Sequence, residues 1–211
     1  MKQDISYLLD VINRNQLWFG ILFGWLFTRI LEWFKNPLLI YEIGDDKDFV
    51  RNNKTFKFLN LIVKNSKQSV VKKFLFGNSS LNNARVWIRF LDYESEAEML
   101  QINGRWASTK EPVDYQSGQP LISEVLLPSR DTIPSGEEAS ISIAIKEKGE
   151  SSFFPFNNES YIHNWKHTDY ELGDRKYLLE IIILGDGNEY KKRFLLTNPS
   201  KSLKNFKIIK L

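Results

Sequence analysis

Residues 151–170 hold the densest concentration of side chains able to do chemistry. Phe153, Phe154, Phe156, Tyr161, Trp165 and Tyr170 fall within this stretch, together with both histidines of the chain, His163 and His167. Glu159, His163 and His167 are spaced four residues apart, so a helical turn would put all three on one face. A carboxylate and two imidazoles so placed are ligands that a divalent metal accepts. The same loop suits recognition of a protein or glycan, because Tyr and Trp join a wide apolar face to a polar handle. Phe156, Tyr161, His163 and Trp165 are the contacts expected of that surface. Asn103-Gly-Arg-Trp106 forms a second aromatic turn, so Arg105 and Trp106 join the candidates. The competing expectation is that the aromatics seal one end of the fold and the histidines are solvated or satisfied in the core.

Other chemistry is thinly represented. The chain lacks HExxH, GxGxxG, P-loop and GxSxG patterns. It has no cysteine, which excludes disulfides, thiolate catalysis and Cys-ligated zinc. Asp45, Asp46 and Asp48 carry oxygen ligands, but no spaced calcium loop follows, and they read as a solvated linker. Glu94, Glu96 and Glu98 alternate on an exposed strand edge. No resident metal or cofactor is expected, and no catalytic residue is assigned.

The elements that must position these groups divide the chain in two. Residues 17–34 contain Trp18, Trp25 and Trp33 with Phe19, Phe23, Phe27 and Phe34, and carry no charge before Arg29. Eighteen such residues come close to the roughly 20 needed to cross a bilayer. Trp18 and Trp33 sit where an aromatic belt would place them, and Arg29 can snorkel to the interface or pair with Glu32. Gly20 and Gly24 form a GxxxG pair that lets two membrane helices approach, which makes dimerisation through the helix an option. We expect one helix over residues 12–34, ended by Asn36-Pro37. A spanning anchor is the leading reading; an interfacial helix and a helix packed on the soluble domain are the alternatives. Basic residues Arg29, Lys35, Lys47 and Arg51 on its C-terminal side lean the following domain toward the cytoplasm.

After Pro37 the apolar period changes to two. Strands are expected at 38–43, 55–65, 84–90, 98–102, 120–127, 139–145, 176–184 and 189–197. Gly185-Asp-Gly-Asn188 signals a hairpin between the last two. In 139–145, Ala139, Ile141, Ile143 and Ile145 should face one way. The expected core comprises Leu59, Leu61, Val63, Val86, Ile88, Phe90, Ile141, Ile143, Leu179, Ile181, Ile183, Phe194 and Leu196. Strands without intervening helices argue for a mostly β antiparallel sandwich. The organisation is thus an anchor helix (1–37), a sandwich (38–200) and a basic tail (201–211) carrying Lys201, Lys204, Lys207 and Lys210.

Leu61-Ile-Val-Lys-Asn65 followed by Asn83-Ala-Arg-Val-Trp-Ile-Arg-Phe90 resembles the V-x-N … A-x-V-x-V signature of CARDB-like, immunoglobulin-like domains of bacteria and archaea. Ile133-Pro-Ser-Gly-Glu137 is similar to their I-x-P-G-E turn. Tyr177-Leu-Leu-Glu-Ile and Arg193-Phe-Leu-Leu resemble their closing hairpin. The likeness covers roughly residues 55–197; residues 66–82 and 146–172 are longer than such domains need. The resemblance implies an immunoglobulin-like sandwich that binds or adheres rather than catalyses.

The net charge of +3 is spread over 29 basic and 26 acidic residues, too balanced for a nucleic-acid binder. The expected protein is a single-pass cell-membrane binding module, with the bilayer and an unidentified protein as partners. The alternatives are an accessory subunit of a membrane complex, or a metal- or glycan-dependent enzyme using residues 151–170.

Overall fold

The computed structural model describes residues 16–45, 47–67, 69–70, 73–74, 77, 79–114, 116–199 and 201–211. The chain divides into two compact units, residues 1–37 with 68–79, and residues 38–67 with 80–211.

Helix α1 (Gln16–Lys35) runs without a break through Gly20 and Gly24. It stops one residue before Asn36-Pro37, where proline removes a donor and restricts the residue before it. Residues 12–15 of the expected helix lie outside the described residues. A Cβ added at Gly20 or Gly24 would meet nothing, so neither glycine is in a packed helix contact among the described residues. Trp18, Ile21, Leu22, Phe23, Trp25, Leu26, Phe27 and Ile30 are exposed, Trp18 by 69% and Phe23 by 64%. At 3.6 residues per turn these positions encircle the helix. The transmembrane span expected here is not found as such: among the described residues no helix is long and apolar enough to cross a membrane. Arg29 and the weakly apolar Trp18, Gly20, Gly24, Trp25 and Thr28 interrupt its aliphatic run.

The second unit is mostly β. One sheet contains β1 (Leu39–Ile43), β2 (Lys47–Arg51), β3 (Lys54–Asn65), β6 (Arg105–Trp106), β8 (Glu138–Glu147) and β9 (Phe154–Pro155). The other contains β4 (Leu81–Asp92), β5 (Glu98–Asn103), β7 (Arg130–Ile133), β10 (Lys176–Gly185), β11 (Asn188–Thr197) and β12 (Lys207–Lys210). Among the described residues every strand pairing is antiparallel. β3 and β8 form the centre of the first sheet; β1 and β2 share one flank of β3, and β6 and β9 share the far flank of β8. The second sheet runs β12-β11-β10-β4, with β5 and β7 sharing the outer flank of β4. Every residue expected in the core is there, at 2% exposure or less. Alternation of apolar and polar residues decides this, because period two sends alternate side chains to one face.

Five local expectations change, the last at Ile145. β5 does not turn at Asn103-Gly104 but crosses between the sheets: Asn103 pairs with Trp87 in one, and Arg105 with Ser142 in the other. Residues 120–127 form no strand; they hold a helical turn, α2 (Ile122–Val125), because Pro120 and Pro128 bracket the segment and cannot donate to a ladder. The segment read as a basic tail includes β12, which pairs with β11 and sends Phe206 and Ile208 into the core. Asp48, read as part of a linker, lies in β2; Asp46 is outside the described residues.

Ile145 lies on the opposite face from Ile141 and Ile143. Leu59 pairs with Ala144 and Asn60 with Ser142, so Ile143 is an extra residue in β8. A bulge of this kind reverses the facing of everything beyond it. Ala144 and Lys146 therefore turn inward, while Ile145 turns to the outer face with Phe56 and Phe58.

The crossing at Gly104 leaves no room for a side chain. A Cβ there would stand 2.7 Å from Val86 Cγ1 and 2.9 Å from Val86 Cβ, while Gly104 N donates to Val86 O at 2.8 Å. We predict that Gly104→Ala destabilises the chain by about 1–3 kcal/mol through overpacking. Val86→Ala in the same chain should recover part of that loss. Additive losses in a denaturant-unfolding double-mutant cycle would contradict the contact.

Candidate functional site

The 151–170 loop folds back onto the outer face of the β3–β8 sheet. Its neck is closed by two backbone bonds between Phe153 and Leu172, at 2.9 and 3.0 Å. Asn198 Nδ2 ties the same neck by donating to Ser151 O at 2.7 Å and Gly173 O at 2.9 Å. Phe156 N donates to the carbonyl of Ile143, the bulged residue, at 3.0 Å. Asn157 then caps a short 3-10 turn, Asn158–Tyr161. Its side chain accepts from Ser160 N, and its own N–H donates to Ser160 Oγ. This is a reciprocal capping box, which satisfies two orphan donors at once.

Phe156 is buried with Phe56, Ile145 and Phe154, and Phe58, Tyr161 and Trp165 pack around them. Phe153 goes further, into the core between the sheets. Trp106 is also interior: its ring is fully buried on β6 and its Nε1–H donates 2.8 Å to Ala84 O in the other sheet. Arg105 lies beneath the loop, 5% exposed, 5.6 Å from the Tyr161 ring, with its guanidinium donating to Thr109 O. Arg105, Trp106 and Phe156 are therefore not surface contacts. Strand alternation sends Trp106 inward with Ile141, and the loop covers Arg105 and Phe156.

Glu159, His163 and His167 do not assemble as ligands. The Tyr170 hydroxyl donates to the Glu159 carboxylate. Burial, reinforced by that carboxylate, pushes the Tyr170 hydroxyl up to about 12. The imidazoles of His163 and His167 lie 3.8 Å apart between centroids, and His167 stacks on Tyr170 at 4.1 Å. Among the described residues no group of three or more His, Asp or Glu side chains is arranged to hold a metal.

What the loop does build is a cleft of about 230 Å³, lined by Arg51, Asn52, Lys54, Phe56, Glu147, His163, Asn164, Trp165 and Lys166. Trp165 is its wall. Its ring centroid lies 5.6 Å from those of Phe49, Phe56 and Phe58, each edge to face. The Arg51 guanidinium stacks 4.1 Å above it and has no carboxylate partner among the described residues. A guanidinium lying over an indole keeps its planar fork of N–H groups, which matches a carboxylate or phosphate. His163 stands exposed at the rim and Tyr161 is half-buried. So Trp165 and His163 come together at the cleft, while Tyr161 packs behind it.

The two loops that frame the cleft adopt left-handed backbone. Asn52 and Asn53 have φ of 50° and 62°, and Asn164 and Trp165 have 49° and 74°. Asn suits such positions; for a bulky residue like Trp it is an outlier. The ring contacts, and a 2.6 Å bond from Trp165 N to Ser160 O, hold it there. Arg51, expected only as one of the basic residues flanking the helix, and Phe49 and Phe58 join the site unannounced. Asn52-Asn53 between two alternating runs is a hairpin signal that would have placed them.

Charge pins the loop to the sheet. Glu147 accepts from Lys54 at 3.0 Å and from Lys166, and Lys166 also donates to Glu150 at 2.6 Å. Burial pushes the Glu147 carboxyl up, but the bonds from Lys166 and Lys54 outweigh it and hold it below its ordinary value. Burial likewise pulls Lys166 down, and its two carboxylates more than reverse this.

Comparison with known proteins finds no family model that matches the chain and no curated protein that matches it.

Two predictions follow from the geometry of the cleft. Trp165→Ala and Trp165→Gly both delete the ring, but only Gly relieves the positive φ, worth roughly 1 kcal/mol. Trp165→Gly should therefore be the less destabilising substitution in urea unfolding. The reverse order would show that the backbone is unstrained. For Glu147, the folded-state carboxyl is depressed, so its contribution is complete above the unfolded value near 4.3 and disappears as pH falls through the folded one. The gap in melting temperature between the natural chain and Glu147→Gln should hold level from pH 7 to about pH 5 and narrow as pH falls from there to pH 3. A constant gap would exclude the ion pairs as its cause.

Proposed function

We propose that this chain is a membrane-anchored, non-catalytic binding module. Its helix seats in lipid, and its sandwich, immunoglobulin-like in the manner of CARDB-like domains, presents the Trp165–Arg51 cleft to a partner. The observation that carries the reading is the exposed apolar surface all round α1. A helix apolar on every side needs an apolar cover, either a bilayer or other protein. An interfacial helix would instead show one polar face. The spacing of the two features supports the division of labour. β1 begins beside Asn65, whereas the cleft lies at the Lys54 end of β3. Across the twelve residues of β3, steps of about 3.3 Å separate these ends by about 36 Å. The chain therefore leaves for the anchor at one end of the sandwich and offers a stacked guanidinium and an indole at the other. Those two groups fit an acidic side chain or a C-terminal carboxylate of a protein partner.

The test is flotation with neutral phosphatidylcholine vesicles. The full chain should rise with the vesicles, and the chain lacking residues 1–36 should remain soluble and folded at the bottom of the gradient. A full chain that stays down as a defined oligomer would show that protein, not lipid, covers the helix. The chain would then be an accessory subunit.

A further inference from the structure

The end of the sandwich where β1 begins carries a second cleft, unrelated to the aromatic loop. It holds about 580 Å³ between β4, β7 and the β10–β11 turn, and its lining includes Asn82, Asn83, Arg85, Arg130, Asp186 and Glu189. Its central feature is a pair of like charges. Arg85 and Arg130 stand directly opposite each other in the β4–β7 register, and both are exposed. Like charges so placed repel, because directly opposed Cβ atoms are only about 5 Å apart. Neither arginine has a carboxylate partner among the described residues. Arg130 donates to Asn83 Oδ1 at 2.9 Å, and Arg85 makes no polar contact there.

The acidic residues of the cleft are already engaged. Asp186 accepts from Asn82 N at 2.8 Å and from Asn82 Nδ2, and Glu189 pairs with Lys191 at 2.7 Å. The other arginines of this sheet face contrast with the pair. Arg89 and Arg193 clamp Glu180 between them at 2.5 and 2.8 Å, and reach Glu98 and Glu96 at 2.7 and 3.1 Å. Carboxylates neutralise the guanidinium groups everywhere along that ladder except at the cleft.

All three covalent links from the sandwich to the first unit, at Leu38, Lys67 and Ser80, leave at this end. Ser66 N donates to Leu38 O, and Asn65 bonds Ile133, which pairs with Leu81. The link between β3 and β4 carries Val70 and Phe74, 84% and 88% exposed, beside Lys67 and Lys73. Apolar side chains interleaved with lysine are what a lipid interface accepts.

We propose that the Arg85–Arg130 cleft is a phosphate site that takes the headgroup of an anionic phospholipid. A phosphate between the two guanidinium groups replaces their repulsion with two charge-assisted hydrogen-bonded pairs. The proposal rests on the membrane reading above.

The test uses the full chain and vesicles of phosphatidylcholine, alone or with 30% phosphatidylglycerol (roughly the charge density of an anionic leaflet). Anionic lipid should tighten binding about fivefold per arginine, so about 25-fold for the pair, and salt should erase the gain. Arg85→Gln/Arg130→Gln should lose the gain, bind neutral vesicles as before, and melt no lower, because a repulsion has been removed. Arg130→Gln alone serves if the double variant melts lower. A full gain retained in the variants overturns the proposal. Loss of binding to neutral vesicles in the natural chain overturns the membrane reading instead. Glycerol phosphate, followed by NMR at the arginine Nε–H groups, separates the sources. Shifts with it but no preference for anionic vesicles would assign a soluble phosphate and overturn the headgroup.

Discussion

The extra residue at Ile143 is the constraint from which the outer cluster and its cleft follow. Without it, β8 would send Ile141, Ile143, Ile145 and Glu147 to the same side. With it, the core takes Ile141, Ile143 and Ala144, and Ile145 and Glu147 emerge on the outer face. Ile145 gives Phe56, Phe154 and Phe156 an apolar floor, and Glu147 gives Lys54 and Lys166 a shared anion. The bulged residue's carbonyl accepts the N–H of Phe156, next to the β8–β9 pairing, and so starts the loop's return path. The same reversal turns Lys146 inward. There its ammonium donates to Asn198 Oδ1, and burial lowers its affinity for the proton. Asn198 in turn closes the loop's neck.

Two kinds of stabilisation meet at the cleft. The aromatic cluster is held by edge-to-face contacts and area burial, which neither titrate nor are screened by salt. The lysine–glutamate cluster is partly solvated and responds to both. The loop therefore has an apolar base and an electrostatic rim, with Trp165 at their junction. Its left-handed backbone shows that the ring's position is dictated by the sheet beneath, not by local preference.

The two sheets are linked by different means at each crossing. Gly104 carries the chain across in one step because Val86 leaves no space for a side chain, and Trp106 bonds Ala84 across the gap. At the end where β1 begins, Asn65 does the equivalent work. Its amide donates to Ile133 O, and its backbone brackets the Pro134-Ser135-Gly136-Glu137 turn. Gly136 sits at φ 88°, a conformation that only glycine takes without strain.

Sequence by itself determined the layers of this protein. Alternation named the core residues of β3, β4, β10 and β11 because the stretches that carry them, Val86 to Phe90 in β4 among them, keep their period, and Asn36-Pro37 marked the end of α1 because proline cannot continue it. The aromatic density of residues 151–170 located the loop, since six rings need contacts of some kind. Which contacts they make was decided only by tertiary structure. Phe156 and Trp106 look as sticky as Trp165 in one dimension, yet two are interior and the third forms a wall. The difference lies in a one-residue bulge and a strand that changes sheets at Gly104. Neither alters the composition, and each reverses or relocates side chains downstream. The site roles of Arg51 and Arg85 were not legible for a related reason: a lone arginine has no periodic signature, and what sets these two apart is a neighbour brought by another segment.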